Sequence, residues 1–265
     1  MIKIGFYQFN PVFKGVEENC DKVVKRLSNI NADIIVLPEL AFTGYNFYDR
    51  DEVSEIAETP EDSQIVKKLT ELCSKNKNYI VTGFAEKSGK NIFNSALLIG
   101  PNGLIDIYRK IHLFNREKIY FDPGDTDFKV TEVKGAKIGM MICFDWIFPE
   151  ATRSLALLGA SIICHPSNLV LNYCQNVMLT RCLENRIFAV TANRTGEENR
   201  EHGNLRFTGQ SQIVDSKGNL LYRADSEEEI LYIHEIKPEE ALDKNITEYN
   251  HIFNDRRPEF YKPLY

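Results

Sequence analysis

Short apolar runs rich in β-branched residues alternate with amphipathic segments along this chain, and the alternation constrains the fold more than any other feature. Strands separated by helices favour an α/β architecture with parallel strand pairs, and the turn sequence at Pro101–Gly103 adds a hairpin. The apolar and β-branched runs predict strands at 3–9, 33–37, 79–84, 95–99, 104–108, 136–143, 161–164, 188–193, 210–214 and 230–236. Apolar residues spaced along one helix face predict helices at 16–30, 63–76, 149–158 and 173–186.

The length of 265 residues allows one large domain or two small ones. Neither a linker rich in Pro and Gly nor an internal repeat divides the chain, so we predict a single domain over 1–265. The C-terminal segment 250–265, NHIFNDRRPEFYKPLY, is too aromatic for a discarded tail. It either packs on its own domain or crosses to a partner subunit.

Charge and cysteine usage exclude several classes of function. With 32 basic and 38 acidic residues the formal net charge is −6, which argues against nucleic-acid binding and against a polybasic membrane anchor. No apolar run reaches the ~18 residues of a membrane span. The six cysteines form no CxxC pair and the start of the chain does not resemble a secretory leader, so we expect free thiols in the cytoplasm. The five histidines are scattered, so no metal site is predicted.

Glu39 and Lys110 each follow a predicted strand, in DIIVLPEL and DIYRKIHLF. Functional groups gather at the carboxyl ends of strands in open α/β sheets. A glutamate among apolar neighbours there can act as a general base, and the lysine can supply a fixed positive charge that Glu117 returns to hold. Taken alone, Glu39 also fits a solvated turn carboxylate, and the segment around Lys110 also fits a surface charge cluster.

Cys143 has the most specific context of the candidate residues. Its strand ends at this residue, and a helix is expected to begin near Pro149, because proline suits the first helical turn. A cysteine in such a turn occupies the position of a nucleophile elbow, where the backbone N–H of Phe144 can face an oxyanion. The alternative is a buried structural cysteine, which is the expectation for the other five.

His165 follows the next predicted strand, in ICHPSN, and offers a second way to activate the thiol. A cysteine–histidine pair would need this imidazole beside Cys143. The residue precedes Pro166 and also fits a packed turn position. A histidine-assisted mechanism therefore stays open beside one based on Glu39.

Taken together, the motifs LPEL, YRKIHLF and MICFDWIFPE resemble those of the nitrilase superfamily of carbon–nitrogen hydrolases, whose triad is Glu–Lys–Cys in that chain order. The resemblance covers nearly the whole chain, from GFYQFNP at the start to FTGQSQIVDSKGNLL, and is strongest with the short, unfused bacterial and archaeal nitrilase-like proteins. It implies an αββα sandwich, in which two mixed sheets face each other with helices outside. It also implies a homodimer or higher homo-oligomer, with dimerisation through helices and 250–265 reaching the partner subunit.

The resemblance also implies roles for the site residues. Glu39 would be the general base, Cys143 the nucleophile, and Lys110 and the Phe144 N–H the groups that stabilise the developing negative charge. Glu117 resembles a second glutamate that positions the lysine and the substrate.

The implied activity is hydrolysis of an amide, carbamoyl or nitrile bond of a small molecule through a cysteine thioester, with no cofactor. Acyl transfer to a small acceptor uses the same thioester and stays open, as does a catalytically idle oligomeric binding module on the same fold. Tyr45, Phe114, Phe121 and Asn168 are the candidates for the substrate pocket. Each of these four also fits a role in packing or turn formation.

Overall fold

A computed structural model describes residues 1–264, and two six-stranded sheets form its centre. The strands are β1 (Ile2–Gln8), β2 (Ile34–Val36), β3 (Tyr79–Ser88), β4 (Asn91–Gly100), β5 (Gly103–Arg109), β6 (Val130–Val133), β7 (Ala136–Met140), β8 (Ile162–Pro166), β9 (Phe188–Ala192), β10 (Glu197–Arg200), β11 (Gly203–Arg206), β12 (Gln212–Val214), β13 (Leu220–Arg223), β14 (Ile230–Ile236), β15 (Asn245–Thr247) and β16 (Asn250–His251). The helices are α1 (Val16–Leu27), α2 (Arg50–Ser54), α3 (Gln64–Asn76), α4 (Glu117–Tyr120), α5 (Pro149–Leu157) and α6 (Cys174–Asn185).

Both large sheets are mixed and share one pattern. The first has the order β14-β1-β2-β3-β4-β5, and β1, β2 and β3 run parallel while the other pairs are antiparallel. The second has the order β13-β12-β9-β8-β7-β6, with β7, β8 and β9 parallel. The pairs β10–β11 and β15–β16 form separate two-stranded hairpins. Three parallel strands therefore lie at the centre of each sheet, which brings the carboxyl ends of those strands to one edge.

The core lies between the two sheets and also beneath the helices. Successive side chains of a strand point to opposite faces of the sheet. In β2, Ile34 and Val36 join an apolar cluster with Ile138 and Val190 of the second sheet, whereas Ile35 faces the cluster beneath α1 and α3. Because both faces are buried, the central strands read as continuous apolar runs. The layers confirm the predicted αββα sandwich.

Local signals fix the helix ends. The Ser63 hydroxyl accepts hydrogen bonds from the N–H groups of Ile65 and Val66, which caps the start of α3. The helix stops at Lys77, whose φ of 55° is left-handed. All four predicted helices form, although α1 ends at Leu27, before the predicted residue 30. No helix within residues 1–264 has the length and apolar character needed to cross a membrane.

The described part of the C-terminal segment, 250–264, packs partly on its own chain. Phe253 contacts the inter-sheet core cluster, and the cationic groups of Arg153 and Lys244 lie over its ring. Phe260, by contrast, is 67% exposed. The last residue of the predicted segment, Tyr265, lies outside the described residues.

Candidate active site

The two sheets bring four of the candidate side chains to one region between them. Glu39 follows β2 and Lys110 follows β5 in the first sheet, while Cys143 follows β7 and Asn168 follows β8 in the second. Glu39 and Lys110 are in direct contact, Cys143 and Asn168 line one cavity, and the charges of Glu39 and Lys110 act on the Cys143 thiol. The region is therefore built from strand ends of both halves of the chain.

Lys110 lies between two buried carboxylates. Its Nζ donates to Glu39 Oε1 at 2.6 Å and to Glu117 Oε1 at 2.8 Å, and all three side chains are fully buried. Burial alone would lower the pKa of Lys110, but the charges of Glu117 and Glu39 outweigh it and hold that pKa above its ordinary value. The ammonium therefore stays charged across the physiological pH range.

Glu117 is the more constrained of the two carboxylates. Its Oε1 also accepts a 2.5 Å hydrogen bond from the Tyr45 hydroxyl, and its Oε2 accepts one from the Phe114 N–H at 3.2 Å. Burial raises the pKa of Glu117 to about 7, against the opposing effect of the Lys110 charge. Near neutral pH this carboxyl is thus close to its midpoint between the protonated and the ionised form.

Glu39 is fixed through one oxygen and free at the other. Oε1 accepts from Lys110 and from Asn94 Nδ2, the latter at 2.7 Å, whereas the buried Oε2 has no hydrogen-bond partner in the part of the chain that the structure describes. The backbone of Gly83 crosses closely behind it. A Cβ at Gly83 would lie 2.4 Å from the Glu39 Cα, so only glycine fits there. Oε2 is therefore the atom of this carboxylate with capacity to accept a proton.

Cys143 begins a 3₁₀ turn that ends at Ile147, and its φ of 39° is left-handed. Such strained backbone is typical of a nucleophile elbow. The first hydrogen bond of the turn runs from the Asp145 N–H to the Ile142 carbonyl at 3.0 Å, so the turn itself leaves the Phe144 N–H free. Burial raises the pKa of the Cys143 thiol, the Glu39 charge raises it further, and the Lys110 charge opposes both. The thiol therefore needs a base to form the thiolate near neutral pH.

Asp145 ties the elbow to the strand that precedes Lys110. Its Oδ2 accepts from the Ile142 N–H at 2.7 Å and from the Tyr108 hydroxyl at 2.8 Å, and its Oδ1 lies 2.7 Å from His112 Nδ1. The carboxylate is fully buried. The sequence did not single out Asp145, Tyr108 or His112 as site residues. The only signal was an acidic residue two positions after Cys143 in an otherwise apolar segment.

His165 faces the elbow's backbone and not its thiol. Nε2 lies 2.9 Å from the Cys143 carbonyl oxygen and Nδ1 lies 3.1 Å from Thr191 Oγ1. A carbonyl oxygen only accepts, so the proton sits on Nε2 and Nδ1 accepts from the threonine hydroxyl. Burial lowers the pKa of His165 to about 4. With both nitrogens engaged, the imidazole has no free nitrogen for the thiol proton.

The predicted pocket residues fall into two groups. Phe114 and Asn168 line a cavity beside Cys143 that has room for about one water, at about 10 Å³. Both polar atoms of the Asn168 side chain are buried and lack partners within residues 1–264. Tyr45 and Phe114 also line an adjoining cavity of about 160 Å³. Phe121 lines neither cavity, because it packs behind Tyr120 against the ring of Phe47.

Metal ligands and disulfides play no part in the geometry described so far. Within residues 1–264 no group of three or more His, Cys, Asp or Glu side chains is arranged to hold a metal ion. All six cysteines are free and buried.

Comparison with known proteins identifies the family. The sequence profile described as carbon-nitrogen hydrolase matches residues 3–242. A nitrilase from Pyrococcus abyssi is 44% identical over 98% of this chain and 99% of its own, and an N-carbamoylputrescine amidase from Solanum lycopersicum is 32% identical over 92% and 87%. The crystal structure of a carbon-nitrogen hydrolase from Helicobacter pylori superposes with a TM-score of 0.90 at 25% identity, covering 99% of this chain and 98% of that one. The sequence, the sandwich and the matched profile make the chain an enzyme of the carbon–nitrogen hydrolase family, within the nitrilase superfamily.

Proposed function

We propose that the protein hydrolyses the C–N bond of a small amide, carbamoyl compound or nitrile through a thioester on Cys143. Glu39 is the general base, and Lys110 stabilises the negative charge that develops on the substrate. The observation that carries the proposal is the fully buried Lys110 ammonium held between Glu39 and Glu117 at 2.6 and 2.8 Å, beside the cysteine elbow. The relatives named nitrilase and N-carbamoylputrescine amidase support this range of substrates.

The first half of the reaction forms the thioester. The free oxygen of Glu39, Oε2, takes the proton from the Cys143 thiol, and the thiolate attacks the carbonyl carbon of the amide. The oxyanion of the tetrahedral intermediate is stabilised by the Lys110 ammonium and the Phe144 N–H; losing one such donor costs roughly 3–4 kcal/mol in comparable sites. Glu39 then passes its proton to the leaving nitrogen. The C–N bond breaks, and ammonia or an amine departs.

The second half releases the acid. Glu39, ionised again, takes a proton from a water molecule while the resulting hydroxide attacks the thioester carbonyl. The same two donors stabilise the second oxyanion. The C–S bond breaks, the sulfur takes back the proton held by Glu39, and the carboxylic acid leaves. Each group returns to its starting protonation state.

Glu117 and Asn168 have supporting roles in this proposal. Glu117 accepts a second hydrogen bond from Lys110, and Tyr45 and the Phe114 N–H donate hydrogen bonds to Glu117 in turn. The Asn168 amide is nearly fully buried and unpartnered among the described residues, so it has a donor and an acceptor to offer to a polar group of the substrate. Phe114 supplies an apolar wall.

Ammonia release over a panel of small amides, N-carbamoyl compounds and nitriles tests the proposal. Cys143→Ala should abolish turnover, while Cys20→Ala, which removes another buried cysteine on α1, should retain it. Mass spectrometry of the stalled wild type should find the acyl group on Cys143. Glu39→Gln should prevent acylation. An adduct on another cysteine, or turnover by Cys143→Ala, would contradict the assignment.

We also infer one domain, a homodimer and a cytoplasmic location. A shared core cluster between the sheets supports the single domain, and free buried thiols support a reducing compartment. The adjacent helices α5 and α6 leave Leu157 and Leu183 about half exposed, which supports dimerisation through these helices, with residues 250–264 reaching the partner. Sedimentation should give twice the 30.5 kDa chain mass, and Leu183→Glu should halve it. A wild-type monomer would refute the dimer.

A further inference from the structure

The cavity of about 160 Å³ shares Phe114 and Val170 with the small cavity at Cys143, and its charged lining is of one sign only. Its polar lining comes from Asn46, Asn115, Arg116 and His202, and neither aspartate nor glutamate is among the residues that line it. Its remaining lining is aromatic or aliphatic, apart from one glycine. A ligand group that enters this cavity therefore meets one permanent positive charge and no negative one.

Arg116 is the source of that charge, and no carboxylate neutralises it within the described part of the chain. Two other arginines near the site are paired, Arg50 with Asp122 at 2.7 Å and Arg200 with Glu52 at 2.6 Å. Arg116 forms no ion pair in residues 1–264, and its Nε is buried without a hydrogen-bond partner there. An unpaired guanidinium with a buried, unsatisfied donor is costly unless a ligand completes it.

The Arg116 side chain is also held in place before any ligand arrives. Its Nη2 donates to the Tyr48 carbonyl at 2.7 Å, which anchors one end of the guanidinium and leaves other N–H groups available. A guanidinium presents parallel donors that match the two oxygens of a carboxylate. Anchoring reduces the side-chain entropy lost on binding such a group.

We propose that Arg116 binds an anionic group at the end of the substrate remote from the scissile bond, so that the preferred substrates are small ω-amides that carry a carboxylate. The inference rests on the proposed function for the position of the reacting carbon. Phe114 and Val170 line both the cavity at Cys143 and the cavity at Arg116, so one molecule can span the two. A cavity of ~150 Å³ holds a molecule the size of benzene, which limits the chain between amide and carboxylate to a few carbons.

Three matched four-carbon amides test this inference: 4-amino-4-oxobutanoate, which is anionic, butanamide, which is neutral, and 4-aminobutanamide, which is cationic. The wild type should show the highest kcat/KM for the anionic amide and the lowest for the cationic one. Arg116→Gln should reduce the ratio of the anionic to the neutral kcat/KM roughly 10- to 100-fold, the range for losing a hydrogen bond between charged groups. Lys118→Gln, which removes an exposed charge two residues away, should leave the ratio unchanged.

Binding to the Cys143→Ala protein gives a readout that does not depend on turnover. Calorimetry should detect 4-amino-4-oxobutanoate more strongly than butanamide, and Arg116→Gln in the same background should remove the difference. Equal binding of the two amides, or a kcat/KM ratio that survives Arg116→Gln, would overturn the inference while leaving the proposed function intact. Selective binding without any turnover dependent on Cys143 would support Arg116 as the anion site and refute the proposed function.

Discussion

The Tyr45 hydroxyl donates a 2.5 Å hydrogen bond to Glu117 Oε1, the same oxygen that accepts from Lys110 Nζ. A carboxylate oxygen has two lone-pair sites, so both donors bind at once. Tyr45 lies in the segment after Glu39, and Glu117 lies in the segment after Lys110. The hydrogen bond therefore joins the two loops that carry the proposed base and the proposed cation.

Tyr45→Phe removes this hydrogen bond without changing the ring. The Tyr45 hydrogen bond lowers the pKa of Glu117, which burial has raised to about 7, so its loss should raise that pKa. If ionised Glu117 is needed to hold Lys110, the acidic limb of the kcat/KM profile should move to higher pH by about one unit. Tyr249→Phe, at an exposed tyrosine, is the control. If the acidic limb stays at the same pH in Tyr45→Phe, the ionisation of Glu117 does not control kcat/KM.

Gly83→Ala should displace Glu39. The new Cβ would meet the Leu40 nitrogen at 2.3 Å and the Glu39 Cα at 2.4 Å, and backbone atoms cannot rotate away. We expect a loss of about 1–3 kcal/mol in the free energy of unfolding, as for an overpacked core, together with a fall in kcat. Urea denaturation and steady-state kinetics measure the two effects.

Gly89→Ala is the control for Gly83→Ala, because it separates the displacement of Glu39 from the effect of backbone strain. Gly89 has a φ of 60° but open space around it, so alanine there introduces strain of about 1–2 kcal/mol without contacting Glu39. Its kcat should remain at the wild-type value. If Gly83→Ala behaves like Gly89→Ala, the close crossing does not control the position of the glutamate.

Asn168→Ala should separate binding from stability. Its amide is buried without partners in the described chain, so truncation removes an unsatisfied group and should leave the free energy of unfolding unchanged or higher. The KM should rise about 10-fold, the effect of losing one hydrogen bond to the substrate. Asn94→Ala is the contrast, because its Nδ2 donates to Glu39 and its loss should lower kcat instead. A destabilised Asn168→Ala protein with normal KM would assign this residue to folding.

His165 should make the fold less stable in mild acid. Burial lowers the pKa of His165 from 6.5 to about 4, so between these values the unfolded chain binds more protons than the folded one. The contribution of His165 to the free energy of unfolding should therefore fall by about 3 kcal/mol as the pH drops from 6.5 to 4, whereas Glu117, whose pKa is raised to about 7, acts in the opposite direction. In His165→Gln, the urea midpoint should lose this contribution to its dependence on pH. His234→Gln should retain the slope; equal slopes in all three proteins would refute the prediction.

The strand pattern predicted much of the fold because burial on both faces makes strands such as β2 and β9 nearly continuous apolar runs in the sequence. The short elements have no such apolar pattern in the sequence. Helices α2 and α4 have five and four residues, too few for a helical period, and β10 and β11 are polar strands of a separate hairpin. Their positions follow from tertiary contacts that no local window contains.

The candidate site divides in the same way. Glu39, Lys110 and Cys143 stand in distinctive motifs at strand ends, so the pattern predicted them as candidates. Asn94 and Tyr108 did not appear, because a polar side chain within a strand gives no sign of which buried group it contacts. Arg116 was not among the candidates, since sequence alone does not reveal that its neighbours leave its charge unpaired.

The site residues come from two sheets that are each hydrogen-bonded internally and share an apolar core of side chains. Glu39 and Lys110 follow strands of the first sheet, and Cys143 and Asn168 follow strands of the second. The rate of turnover should therefore depend on how the two sheets align with each other. A substitution that slides one layer over the other should silence the enzyme while its circular dichroism spectrum stays that of the native protein.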